Sequence, residues 1–403
     1  MKKIKLMVLM VVLMLLTQPI AAKINLDVEH AYVTEGRTYF EPSEYEKLGL
    51  VVEEKGNTAI LTGLNVVLEF TLGNVQAKVN GVDVYMDKKI TSRDGKLMLP
   101  MRFILETLGY KVGWEKGAYT FARELDVRYP ISFERGGENT LITKTPTRIV
   151  SGSPAFTQIL IDLGEKDAMV GQSGYGEDIE EASDIKVVVP DMMNPDIEKI
   201  VSVKPDAVFM ITGEAASAVM EKLRSAGIEV FAEPMQHTME DVYQYILDTG
   251  RIMDKEFVAR AIISGMKAQI TTTRFYTKRL SKPSVYYSLS AGEFGEYTSP
   301  QGSYMNDLME AAGVENVAAA NDTWEYTTEL IVKQNPSIIY ASTWAYDTIT
   351  GGENYRTIDA VKNKKVYKVD DNTLGRPTAS MVRVGLKQLL KAAHPEVLEK
   401  LDF

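Results

Sequence analysis

Two glutamates occupy equivalent places in two stretches that share one local plan. Glu198 stands seven residues before Pro205, and the apolar run Ala207-Val208-Phe209-Met210-Ile211 follows. Glu329 stands seven residues before Pro336, and Ser337-Ile338-Ile339-Tyr340-Ala341 follows. Each glutamate falls on a short helix that a proline ends and a buried parallel strand succeeds. Asn194 as the cap and Pro195 as the first helical residue give the first of these helices a start. A matched pair of acids, one per half of the chain, suits a bilobed binder that shows one acid per lobe to a partner, because separated charges fix orientation. Taken singly, each acid reads as an ordinary solvated helix residue.

The residues that could meet a ligand follow strands. Ligands of α/β lobes sit at the carboxyl ends of their strands. That rule selects Ser153, Pro154 and Ala155 after Ile149–Ser151, Tyr175 after Ala168–Gly171, and Thr212 after Ile211. In the second half it selects Ser290 to Tyr297, Trp344 to Tyr346, and Gly375-Arg376-Pro377. The aromatic rings suit stacking on a flat ligand, and Arg376 suits a carboxylate or phosphate. The competing role for Arg376 is to close its own loop against Asp370 or Asp371.

Covalent and metal chemistry find little support. Ser153 lacks a Gly-x-Ser-x-Gly elbow, and Gly171, Gly174 and Gly176 miss the dinucleotide spacing. The chain has no cysteine and only three histidines, His30, His237 and His394, none at a metal-ligand spacing from another. We therefore expect no enzyme, no metal site and no cofactor. The Asn321-Asp322-Thr323 sequon is of a kind that arises often by chance.

The elements that carry these residues alternate from residue 147 onward. Strand Ile149–Ser151, helix Ala155–Leu163 stopped by Gly164, strand Ala168–Gly171, helix Val219–Ala226 stopped by Gly227 and strand Glu229–Phe231 read as parallel sheet with helices outside. Met239–Arg251 and Lys255 to about Leu280 are long helical patterns. The second joins the two repeats, and Val258, Ile262, Met266 and Ile270 line one face of it. It reads as a strut between two lobes. Residues 23–123 form a separate small α+β unit with an internal echo. In each half a strand, a Pro-led helix, a Gly stop and a second strand follow one another, and Asn80-Gly81 makes a tight hairpin turn between the halves.

Length and composition agree with several domains. The 403 residues exceed one ordinary core. Hydrophobic content of 45% and charged content of 25% are those of a globular protein, and a net charge of -10 with no basic stripe argues against nucleic-acid binding. Residues 1–22 read as a signal peptide. A Lys2-Lys3-Ile4-Lys5 head precedes the apolar run Leu6–Leu16, and Ala21-Ala22 offers a cleavage site. The apolar run is shorter than the roughly 20 residues a spanning helix needs. With no cysteine to carry lipid, export without lipoprotein anchoring is expected, in a periplasm or at the cell envelope.

From Pro146 onward the chain resembles the periplasmic-binding family that delivers iron-siderophores, haem or cobalamin to ABC importers. The resemblance rests on Thr147-Arg148-Ile149-Val150 with Ser153-Pro154-Ala155, Pro195-Asp196-Ile197-Glu198-Lys199-Ile200 with Lys204-Pro205-Asp206, and Tyr304-Met305-Asn306-Asp307-Leu308 with Ala311-Ala312-Gly313. Tyr355-Arg356-Thr357-Ile358-Asp359-Ala360-Val361 and His394-Pro395-Glu396 complete it. It implies an α/β fold of two Rossmann-like lobes bridged by a long helix, and a small-molecule ligand, a metal chelate or corrinoid, held between them. It further implies that Glu198 and Glu329 meet arginines of an ABC permease dimer. Residues 23–123, through Leu97-Met98-Leu99-Pro100-Met101-Arg102-Phe103 and Val112-Gly113-Trp114, resemble the copper amine oxidase N-terminal domain. His30 is the sole histidine of that unit, so the likeness implies no copper chemistry. The expected divisions are a signal peptide (1–22), this α+β domain (23–123), a linker and entry hairpin (124–146), a first lobe (147–254), the interlobe helix (255–281) and a second lobe (282–403). The alternative function is an envelope scaffold or sensor that reuses the fold without transport.

Overall fold

A computed structural model describes residues 31–403 apart from 116–117, 124–129, 136–137, 193–194, 212–213 and 236. The expected signal peptide, the Asn194 cap and Thr212 lie outside the described residues.

Two parallel sheets carry the larger part of the chain. In the first, the spatial order is Val187–Val189, Met169–Ser173, Ile149–Ser151, Ala207–Ile211, Glu229–Glu233, every pair parallel. The chain winds outward from Ile149–Ser151 in one direction and then in the other, so a crevice opens beside the carboxyl end of that central strand. In the second sheet the order is Glu315–Asn316, Ser284–Ser288, Ile338–Ala341, Val366–Lys368, again all parallel. The central strands are apolar runs buried on both faces, as a helix-covered parallel sheet requires. This is the two-lobed α/β architecture the sequence implied.

Helix Glu256–Thr277 joins the lobes. Its face of Val258, Ile262, Met266 and Ile270 is buried in the core, as its spacing predicts. The N-terminal module packs on the same helix. It includes an antiparallel five-stranded meander from Val51 to Tyr85, a four-stranded sheet, helix Met101–Thr107 and the paired strands Tyr110–Glu115 and Ala118–Arg123. Asn80 and Gly81 take φ of 50° and 85°, the paired left-handed residues of a tight hairpin turn.

The seam between module and strut is close and polar. A Cβ on Gly265 would lie 2.1 Å from the Tyr85 carbonyl oxygen, so only glycine allows this approach. Gln269 donates to the Met86 carbonyl at 3.1 Å, Ser264 donates to Glu106 at 2.6 Å, and Arg37 reaches both Asp87 and Thr272. The module also reaches the second lobe. Lys88 donates to the Lys400 carbonyl at 2.9 Å, and the Arg383 guanidinium lies 4.2 Å from the centre of the Tyr85 ring. It thus braces the strut and the C-terminal helices together, a contact the sequence did not announce.

Candidate functional site

The site is built at the carboxyl ends of the strands, where the lobes face one another. After Ile149–Ser151 the chain turns at Gly152 into helix Pro154–Asp162. Ser153 caps that helix: its hydroxyl accepts the Phe156 N–H at 3.3 Å, while its carbonyl accepts the Ser151 hydroxyl at 2.9 Å. Ser153 is 1% exposed and Ala155 is buried too. Their side chains serve the helix start, and Pro154 is the most accessible of the three.

Tyr175 is 55% exposed on the short turn after Met169–Ser173. In the second lobe, Trp344 is 82% exposed in the loop after Ile338–Ala341. Phe294, 75% exposed, stands in the loop after Ser284–Ser288, and Met235, 64% exposed, follows Glu229–Glu233. Four of the chain's large exposed apolar side chains therefore crown the strand ends of two lobes. Apolar side chains gathered at one end of a sheet are the usual lining of a ligand surface, whereas single scattered ones are ordinary. Phe294 lay within a segment the sequence indicated. Met235 did not, although its place after a strand marks it.

Arg376 meets neither Asp370 nor Asp371. Asp370 caps helix Asp371–Leu374 by accepting the Asn372 N–H at 3.0 Å, and Asp371 accepts the Thr343 N–H at 2.8 Å. Burial raises the Asp371 carboxyl above its ordinary range, with the neighbouring Asp370 adding to it. Arg376 instead spans the cleft. Its Nη2 donates to Asp178 Oδ1 at 2.5 Å and to the Tyr175 carbonyl at 3.2 Å. The arginine is 15% exposed and the aspartate 39%. A second link joins the lobes: the Tyr304 N–H donates to the His237 carbonyl at 2.9 Å, and the His237 and Trp324 rings lie 6.4 Å apart. Asp178 and His237 escaped the sequence reading because no local pattern ties them to residues so remote in the chain.

The two acidic helices match in detail. Helix Ile197–Ser202 is capped by Asp196, whose side chain accepts the Lys199 N–H at 3.1 Å. The helix thus begins two residues later than the Asn194-Pro195 signal predicts, because Asp196 supplies a competent cap nearer the apolar residues. Helix Thr328–Gln334 is capped by Thr327, which accepts the Leu330 N–H at 3.3 Å. Both glutamates lie in the first turn and are exposed, and in both the residue two places on, Ile200 or Ile331, is fully buried and fixes the helix to its lobe. Each helix also exposes apolar side chains near its acid: Val201 in one, Leu330 and Val332 in the other. Because each helix returns antiparallel to the strand that follows, these first turns lie toward the carboxyl edge of their sheets.

The periplasmic binding protein family model matches residues 149–373, more than half of the chain. This chain belongs to the periplasmic binding protein family. The copper amine oxidase N-terminal domain model matches residues 21–122, the module on the strut. Among relatives of this family member, an uncharacterized ABC transporter substrate-binding lipoprotein, YvrC, of Bacillus subtilis is 26% identical over 68% of this chain and 88% of its own length. A cobalamin-binding protein of Halobacterium salinarum is 28% identical over 68% of this chain and 72% of its own. Among solved structures, a possible iron-binding (periplasmic solute-binding) protein of Staphylococcus epidermidis is 24% identical. It covers 62% of this chain and 100% of its own, with a TM-score of 0.54, which shows the shared fold. Among the described residues no helix is long and apolar enough to cross a membrane.

Proposed function

We propose that this protein is an extracytoplasmic solute-binding protein that captures a metal chelate or corrinoid (iron-siderophore, haem or cobalamin) between its lobes and delivers it to an ABC permease dimer. The observation that supports this reading is that Tyr175, Met235, Phe294 and Trp344, two in each lobe, are exposed in the segments that follow parallel strands. A large, flat, partly apolar ligand would cover all four, and each aromatic stack adds about 0.5–1.5 kcal/mol beyond the buried area. Arg376 then exchanges Asp178 for a carboxylate or phosphate of the ligand. Ser153 and Ala155 contribute the shape of the helix start rather than side-chain contacts, and Pro154 lines the rim. The printed functions of the relatives, cobalamin binding and ABC substrate binding, favour the same class of ligand.

Glu198 and Glu329 dock the permease, and the exposed Val201, Leu330 and Val332 supply apolar contact around each charge. The protein works as a binder and not as an enzyme. The YvrC relative is named a lipoprotein, whereas this chain has no cysteine to carry lipid. The way the module braces strut and second lobe favours a second reading, an envelope scaffold or sensor without transport. Reversing both glutamates decides between them. Uptake by cells carrying the double Lys variant should fall to background while ligand affinity stays unchanged, each lost charged contact costing about 1.5–3 kcal/mol. Undiminished uptake would refute the docking role of the two acids, and uptake that also survives deletion of the whole protein would leave the scaffold.

A further inference from the structure

Glu296 is a buried carboxylate with an unusual set of neighbours. It is 8% exposed, in the short strand Glu296–Tyr297 that pairs with Glu325–Tyr326. Its Oε1 accepts the Thr328 hydroxyl at 3.0 Å, the Gly292 N–H at 3.5 Å, and the Tyr355 hydroxyl. Its Oε2 is buried and has no hydrogen-bond partner among the described residues. Burying a carboxylate is expensive, and leaving one of its oxygens unbonded adds to that cost. A site that keeps such a group gains something other than stability from it.

The three donors belong to three different pieces of the second lobe. Gly292 opens the loop that carries the exposed Phe294, after strand Ser284–Ser288. Thr328 is the first residue of the helix whose next residue is Glu329. Tyr355 belongs to the turn Glu353–Tyr355 and is buried beneath both. One oxygen atom therefore ties the cleft loop to the start of the acidic helix. We infer that Glu296 is a positioning residue: it sets the Glu329 helix according to where the Phe294 loop lies, so that ligand arrival at the loop is felt at the acid. This rests on the reading of Glu329 as a docking acid.

Displacing the loop moves the Gly292 N–H away from or toward Oε1. The hydroxyls of Thr328 and Tyr355 then share Oε1 differently, and the unpartnered Oε2 adds no hydrogen bond of its own that would hold the carboxylate against that change. Glutamine at this position keeps an acceptor oxygen for Thr328 and Gly292. Alanine removes it.

Amide hydrogen exchange on the full chain, followed by peptide mass spectrometry, tests the inference. Glu296→Ala should speed exchange about tenfold or more, the loss of a hydrogen bond to a charged group, in both the 290–297 and the 326–334 peptides. Exchange in the core strand Ile338–Ala341 should stay at the wild-type rate, and Glu296→Gln should restore both peptides. Thr328→Val, which cuts only the arm to the helix, should speed the 326–334 peptide and leave 290–297 alone. A uniform rise that includes Ile338–Ala341, an unchanged 326–334 peptide, or failure of glutamine to rescue would overturn the inference. The docking role of Glu329 is read separately, in uptake by the Glu329→Lys variant, which should leave the exchange pattern as it is in the wild type.

Discussion

Arg376 sits in an ion pair that bridges the lobes, so removing it should act on two equilibria at once. The Arg376–Asp178 contact is short, and the arginine also donates to the Tyr175 carbonyl. A hydrogen bond between charged groups contributes about 1.5–3 kcal/mol when desolvated. Asp178 is 39% exposed, which brings the figure down toward about 1 kcal/mol through solvent screening. An anionic ligand gains Arg376 only by displacing Asp178, so most of that contact's energy cancels. Arg376→Ala should then weaken binding of an anionic chelate by less than about 1.5 kcal/mol and widen the distribution of interlobe distances. Asp178→Asn should widen the distances too, yet tighten binding about fivefold, by freeing the arginine from a competing charge. Calorimetric titration gives the affinities, and paired spin labels on the two lobes give the distances. The reasoning fails if Asp178→Asn leaves both affinity and interlobe distances at wild-type values, or if the double variant shows no coupling between the two sites.

Three further outcomes follow from other parts of the molecule. Gly265→Val should destabilise the protein by about 2–3 kcal/mol and release the module to proteolysis, because its Cβ would stand 2.1 Å from the Tyr85 oxygen; a raised melting temperature would mean the module does not seat there. Asp162, partly buried beside Gln158 and Arg383, has its carboxyl raised by burial from the usual 3.8 to about 6. The folded state therefore holds this proton more tightly than the unfolded state, and stability from this group falls as pH rises from about 4 to 6. Asp162→Asn should match the wild type near pH 4 and exceed it by about 1–2 kcal/mol above pH 6 in denaturant melts, the linkage value reduced for the residue's partial solvent contact. Phe294→Ala and Trp344→Ala should each weaken ligand binding by about 0.5–1.5 kcal/mol with unchanged melting temperature; a lowered melting temperature with intact affinity would place the rings in packing instead.

Much of the fold is legible in the chain because parallel strands write themselves as apolar runs. Ala207–Ile211 and Ile338–Ala341 are buried on both faces and could be read directly. The strut was legible from its period, with Val258, Ile262, Met266 and Ile270 on one face. Ser153 shows a different limit. A serine before a proline at a strand end fits both a ligand contact and a helix cap, and here its hydroxyl faces the Phe156 N–H. Asn194 before Pro195 reads as the cap, yet Asp196 two residues on caps the helix, a choice that local sequence does not rank. The Arg376–Asp178 pair was out of reach altogether, since its partners are 198 residues apart and meet only when the lobes face one another. The same holds for Glu296, whose strand pairs with Glu325–Tyr326 across an intervening helix and strand.

The central claim is that the cleft takes a metal chelate or corrinoid, and direct titration tests it. Purified protein should be titrated with cyanocobalamin, haemin and a ferric hydroxamate chelate, following visible absorbance and the fluorescence of its three tryptophans. The account predicts that one of the three binds one-to-one with Kd below about 1 μM, or about 8 kcal/mol of binding energy, and quenches the fluorescence through Trp344. Failure of all three to bind more tightly than about 1 mM would contradict it.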